Sequence, residues 1–361
     1  MRISQSSSAR LLSAGVFALL GVVPLLSQAQ GGAWTTPRTP WGHPDLQGVW
    51  NAATLTPLER PDNVGGRLTL TPAEAADIER TERQRVEVRA RPSDPDRNAP
   101  PAGGNVGGYN NFWIDRGSGA FTIDGQFRTS IIVEPPDGKI PPMLESAVRR
   151  NRGARGTVVR PTSDAPESLA PEGQGAFDDI ELRPLGERCI LGFGSTSGPP
   201  TLPNYFYNNN KQIVQTADYV MILVEMVHDA RIIRLKGGHV PAHVKKWMGD
   251  SVGHWEGDTL VVETTNFTNK TRFRGSSENM KVIERFRRTE AGTILYNFTV
   301  VDPDTWATPW TGEYPWVKSD DHIYEYACHE GNYAMGDIMR GARLLEAEEA
   351  AAKQGSAVQQ R

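Results

Sequence analysis

Residues 281–301 read KVIERFRRTEAGTILYNFTVV. Lys281 to Arg288 and Thr293 to Val301 are strand-like runs, and the Gly-containing loop Thr289-Glu290-Ala291-Gly292 between them reads as a hairpin connection. The same pattern recurs on either side. Ser251 to Trp255 and Thr259 to Phe267 flank Glu256-Gly257-Asp258, where Gly257 can adopt a positive φ. Gln212 to Thr216 leads through Ala217-Asp218 into an apolar run that starts at Tyr219. Arg128 to Glu134 ends in the turn Pro135-Pro136-Asp137-Gly138, and Tyr324 to Cys328 is the expected last strand. Consecutive hairpins without helices between them predict an antiparallel meander, and closing it into a β-barrel removes the exposed edges. A two-sheet sandwich would show the same strand spacing.

The flanks are of different character. Arg2 and Arg10, the apolar stretch Leu11 to Leu26 and Ser27-Gln28-Ala29 form a secretory signal over 1–29, so a periplasmic or secreted protein is expected. Residues 30–108 read as an extended Pro-, Gly- and Trp-rich segment carrying one helix. Thr71 at the N-cap, Pro72 at N1 and Glu74 at N3 complete a capping box, and the helix runs to about Ala90 with many charges and few apolar positions. Residues 109–345 are assigned to the barrel domain, with a helix from about Tyr333 to Lys353 and a fraying tail over 346–361.

Composition excludes several classes. Losing the signal removes two of the 39 basic residues and none of the 43 acidic ones, leaving 37 against 43, a balance that argues against nucleic acid as a partner. The basic cluster Arg149, Arg150, Arg152, Arg155 and Arg160 lies in a Gly-interrupted stretch and reads as a solvated loop. No later stretch is long enough to span a membrane. Cys189 and Cys328 are the only two cysteines. Export permits them to pair, closing a loop that is worth roughly 4 to 5 kcal/mol by chain entropy. Two separate buried thiols, or one reactive cysteine, are the other readings.

Gly48-Val49-Trp50 is similar to the Gly-x-Trp signature with which lipocalin-type barrels open their first strand, which implies a lipocalin-like β-barrel and is compatible with a C-terminal helix. A broader resemblance is carried by four blocks: Pro44 to Trp50, His228 to Ile233, Gly249-Asp250-Ser251 with Trp255 to Thr264, and Tyr324 to Tyr333. On these the chain resembles a family of exported bacterial proteins. The resemblance implies export and a single-family architecture; it implies no activity, substrate or catalytic residue.

The candidate site starts from YVMILVEMVHDARIIR, residues 219–234, an apolar run holding Glu225, His228, Asp229 and Arg231. Buried charges cost several kcal/mol unless paired or used. Were the run one strand, Glu225, Asp229 and Arg231 would face one way and His228 the other, and a bulge at His228-Asp229-Ala230 would be needed to aim both at one ligand. The last strand offers Tyr326 and His329. His228 or His329 suits a general acid or base, Arg231 suits a carboxylate or oxyanion, and Glu225, Glu263 and Glu284 are supporting groups. The plainer reading has Asp229 and Arg231 paired and the glutamates on surface ladders.

Trp306 and Trp310 in WATPWTGEYPW suit either a stacking platform for a sugar or aromatic ligand or a loop that caps the barrel. No metal is expected: His228, Asp229, His329 and Glu330 are acceptable ligand types, but no His-x-His or His-Glu-x-x-His spacing occurs. Nor is any cofactor. The expectation is a small-molecule-binding barrel using metal-independent acid and base chemistry of a lyase, isomerase or hydrolase kind. The alternatives are a non-catalytic carrier of a hydrophobic or aromatic ligand and a carbohydrate-binding envelope protein.

Overall fold

The computed structural model describes residues 34–91, 96–98, 114–153, 177–192, 198–204, 208–227, 230–269 and 273–359. In chain order the strands are β1 (Gly48–Asn51), β2 (Thr122–Ile123), β3 (Gln126–Phe127), β4 (Ile132–Glu134), β5 (Asn210–Gln215), β6 (Tyr219–Val224), β7 (Ala230–Arg234), β8 (Asp250–Glu256), β9 (Thr259–Thr265), β10 (Lys281–Glu290), β11 (Thr293–Val301) and β12 (Trp310–Ser319). The helices are α1 (Pro72–Arg89), α2 (Glu145–Gly153) and α3 (Tyr333–Gln359).

Nine of these strands close into a barrel in the order β1, β5, β6, β7, β8, β9, β10, β11, β12 and back to β1, with β4 attached to β12. A closed ring of strictly antiparallel neighbours needs an even number of strands, so nine demand one parallel join. That join is β7 with β8, paired through Ile233↔Ser251 and Arg234↔Val252. The chain between them must return outside the ring, and one carboxylate fastens it there. Asp250, 1% exposed, accepts from Arg234 at 2.9 and 2.8 Å, from Lys246 at 2.6 Å and from the Val240 amide at 3.1 Å, with His239 Nδ1 also at 3.1 Å. The Arg234 guanidinium, helped by these other donors, holds the Asp250 carboxyl well below the usual carboxylate range.

The hairpins form where the loops indicated them. Gly257 takes φ 59° in the two-residue turn between β8 and β9. Between β10 and β11 the register shifts at Arg288/Glu290, a bulge that lets β10 run two residues further than its sequence suggested. α1 begins on the expected capping box, with Glu74 N donating to Thr71 Oγ1 at 3.3 Å and Thr71 N donating to the Glu74 carboxylate at 2.8 Å. Only Ala75 of α1 is buried, as its charge-rich sequence requires.

Four expectations are corrected. Residues 219–234 are not one strand: the chain reverses after Val224, Glu225 N bonds back to Asn210 O at 3.0 Å, and β7 runs antiparallel to β6 with Arg231 opposite Ile222. No strand forms at Tyr324 to Cys328, because β12 already gives its edge to β4 at Thr311 and Gly312 and to β1 from Val317 onward. The tryptophan-rich stretch is not a capping loop: from Trp310 onward it is the strand β12, and Trp306 lies buried just before it. Its Pro315 falls between the β4 and β1 contacts, where β12 has only β11 beside it and a missing N–H is tolerated. Gly312 leaves room for Phe298 directly opposite, whose ring atoms would lie 2.5 Å from an added Cβ. Finally, the basic cluster is not simply a loop. Arg149 and Arg150 lie on α2, and Arg150 donates to Asp304 O, Gly275 O and Thr305 Oγ1.

The barrel draws its first strand, β1, from the segment read as an N-terminal extension. Its interior is packed. Trp50, Phe286, Tyr296, Phe298, Trp310, Tyr314 and Trp316 are all fully buried there, each contributing about 1.5–3 kcal/mol or more by removal from water.

Candidate functional site

Among these aromatics the interior encloses polar groups whose positions follow from strand register. Arg231 projects inward from β7 and meets Glu284 of β10 in a two-point ion pair, Nη1 to Oε2 at 2.5 Å and Nη2 to Oε1 at 3.0 Å, with side chains 4% and 0% exposed. Tyr296 of β11 donates to Glu284 Oε1 at 2.8 Å. Its phenolic oxygen in turn accepts from Thr201 N at 2.9 Å, and Tyr314 of β12 donates to Thr201 O at 2.8 Å. Thus the segment 198–204 is bound to the barrel by its own backbone. Burial alone would lower the Arg231 pKa, but the Glu284 carboxylate outweighs it and holds the guanidinium above its ordinary value. Burial and the Glu284 charge together push the Tyr296 phenol well up. The pair is consumed by its own members, so its first chemical consequence is a fixed, charge-balanced wall.

Lys211 is different. It sits on β5 with Trp50 of β1 and Val224 of β6 as its cross-strand neighbours, on the inward face shared with Ile213. The side chain is fully buried, and its Nζ has no hydrogen-bond partner. Burial drives its pKa from 10.5 to about 7, against the weaker opposing pull of the Glu225 carboxylate. Glu225, in the turn that follows β6, accepts from Asn210 N at 3.3 Å and from Tyr324 N at 3.2 Å. A near-neutral amine and a carboxylate therefore sit together at the end of the barrel where β5 begins and β6 finishes. The irregular segment around Tyr324 reaches that end through its amide bond to Glu225.

The structure distributes the other expected residues widely. His228 and Asp229 lie outside the described residues. Glu263 and Glu284 do not share a cavity: the register pairs Glu284 with Val262, which turns Glu263 to the outer face, where it meets His239 at 3.4 Å and Lys281 at 3.3 Å. His329 is exposed, and Tyr326 packs partly buried against the core. Trp306 and Trp310 are 2% and 0% exposed, edge to face with each other, and Phe273 stacks on Trp310. They are core, and offer no open face to a sugar. Cys189 and Cys328 form a disulfide, and Asn332 Nδ2 donates to Glu187 O at 3.0 Å beside it, so the segment after Tyr324 is stapled to the 177–192 segment.

Comparison with protein-family models, curated proteins and solved structures found no match. The chemistry has to be read from the side chains. Among the described residues no group of three or more His, Cys, Asp and Glu side chains is arranged to hold a metal ion, and no helix is long and apolar enough to cross a membrane. A polar surface hollow of about 450 Å³ is lined by Arg150, Ser276, Ser277, Asn279 and Asp304, among others. There Ser277 and Asn279 are taken up by Asp302 and Asp304.

Lys211, Tyr296 and Thr201 were not anticipated. In NKQIVQ the period of two does place Lys211 in phase with Ile213, but the same face ends in Gln215 while Val214 lies on the other. The inward side was therefore ambiguous.

Proposed function

We propose that the protein is an exported β-barrel that binds a small aromatic molecule through an oxygen acceptor at Lys211 and performs metal-independent acid and base chemistry on it. One observation carries this reading: a fully buried amine without a hydrogen-bond partner. A methionine would fill the same space without the cost of desolvating a charge, so a purely structural role favours the apolar residue. A carboxylate or carbonyl oxygen on a ligand supplies the missing acceptor, and the surrounding Trp50 and Val224 supply an apolar wall. An amine titrating near pH 7 is matched to proton transfer at neutral pH. Glu225 is the adjacent group able to relay that proton, and the Arg231–Glu284 pair keeps the rest of the interior balanced. Lys211 is sealed in this conformation, so the ligand enters as the Tyr324 segment lifts from Glu225. Export is supported by the signal-like N-terminus, by the family resemblance and by the disulfide, which fits an oxidising compartment.

Benzoate is the probe for binding. Titration followed by tryptophan fluorescence should saturate in the native protein and weaken by roughly tenfold or more in Lys211→Met, the worth of a charge-assisted hydrogen bond. Acetophenone in deuterated water is the probe for chemistry: methyl proton exchange, followed by NMR, should be faster with the native protein than with the variant. No saturable benzoate response would refute the binding site. Binding with equal exchange rates would instead indicate a carrier.

A further inference from the structure

We propose that Lys211 is a covalent catalytic residue, whose amine condenses with the carbonyl of an aldehyde or ketone ligand to form an imine, with Glu225 moving the proton. This rests on the binding site proposed above and names the substrate class that the site takes. The geometry sets Lys211 apart from the other lysines. Lys139, Lys236, Lys245, Lys246 and Lys281 are all engaged with carboxylates, at 2.8, 2.6, 3.6, 2.6 and 3.3 Å. Lys211 alone among these is fully buried and points its nitrogen at no acceptor.

The reaction needs no oxidant, reductant or metal. The neutral amine attacks the carbonyl carbon, forming the C–N bond as the C=O π electrons move to oxygen; Glu225 takes one proton from the nitrogen and hands it to that oxygen, giving the carbinolamine. Glu225 then carries the second nitrogen proton to the hydroxyl as the C–O bond breaks and the C=N bond forms, so the oxygen leaves as one water holding both amine protons. The product is an imine, which draws electrons from the adjacent carbon and makes its C–H acidic. Two features of the site assist. Burial keeps the amine largely in its nucleophilic neutral form, since its pKa lies at about 7 and not at the ordinary 10.5. Full burial of the amine, between Trp50 and Val224, excludes the bulk water that would hydrolyse the imine. Glu225 is held for its task by the Asn210 and Tyr324 amides, which fix its carboxylate at the rim.

The test uses the full-length native protein with benzaldehyde and sodium cyanoborohydride at about pH 7.5, followed by peptide mapping. At that pH an amine with the lowered pKa is mostly neutral, whereas an ordinary lysine is only about 0.1% neutral. Reduced adduct should therefore accumulate on Lys211 on the order of a hundredfold faster than on Lys139 or Lys236. Absence of adduct from Lys211, or its spread over surface lysines in proportion to their exposure, overturns the proposal. Native protein that binds benzoate but forms no Lys211 adduct overturns the imine alone; native protein that binds neither probe overturns the site as well.

Discussion

Replacing Lys211 by methionine should make the protein more stable, and the amount should depend on pH in a specific way. Folding carries this amine from an ordinary pKa of 10.5 to about 7, because burial disfavours its charged form. The native state therefore binds fewer protons than the unfolded chain between those two values, and stability rises with pH across that window. Below about pH 7 the penalty is fully present, on the order of 3–5 kcal/mol; above about pH 10.5 it has vanished. Methionine has nearly the same length and no charge, so Lys211→Met removes the penalty at the expense of small packing adjustments. Guanidinium unfolding with the disulfide kept oxidised should show the variant more stable than the native protein by most of that amount at about pH 6, with the two curves converging towards about pH 10. The comparison is a difference, so tyrosines and other groups that titrate in the same range cancel. A variant that is less stable at the lower pH, or a difference that does not change with pH, would refute the premise that an uncompensated amine lies inside the barrel.

Other substitutions probe the polar groups around it. Glu284→Gln leaves Arg231 buried against a neutral partner and should cost about 3–5 kcal/mol by chemical unfolding, whereas Arg231→Met combined with Glu284→Leu should recover most of that loss. Asp250→Asn withdraws the anchor of the crossover between β7 and β8 and should cost about 2–4 kcal/mol at neutral pH. Because the Asp250 carboxyl is held below its ordinary range, its contribution is complete above about pH 4 and fades as the pH falls further, so acid titration by circular dichroism should bring variant and native protein together. Cys189→Ser with Cys328→Ser should cost about 2–5 kcal/mol, read as the gap between oxidised native and variant melting free energies. Glu225→Gln removes the charge that favours protonated Lys211, so the pH profile of benzaldehyde trapping should move to lower pH.

The barrel was legible because hairpins are local objects. Gly257 and the loop ending at Gly292 mark reversals that a short window of sequence contains, and the capping box of Thr71 and Glu74 lies within four residues. What was hidden required partners far away in the chain. β12 was disguised by Gly312 and Pro315, which read as breakers until Phe298 is seen to need the space of one, and until the other is seen to lie where a neighbouring strand is absent. The reversal after Val224 was hidden because the five residues from Glu225 to Asp229 that join β6 to β7 contain no Gly, Pro or Asn.

The site was half legible for a related reason. Charges in an apolar run did flag Arg231, and its partner Glu284 was among the candidate residues, but one residue of register separates Glu284 from Glu263, and register across strands is invisible in a single chain segment. Lys211 escaped because an isolated lysine at the start of a mixed polar and apolar strand looks like a solvated end. Only closure of the ring, with Trp50 on one side and Val224 on the other, converts that position from rim to interior. The same closure that makes Lys211 costly to the fold makes it chemically distinct. Had β1 not completed the barrel, Lys211 would face water at an open edge, its pKa would return to the ordinary lysine range, and its amine would be no better a nucleophile than any surface lysine. Deleting residues 30–51 should therefore raise the pKa of Lys211 and abolish its selective trapping even if the remaining strands stay folded.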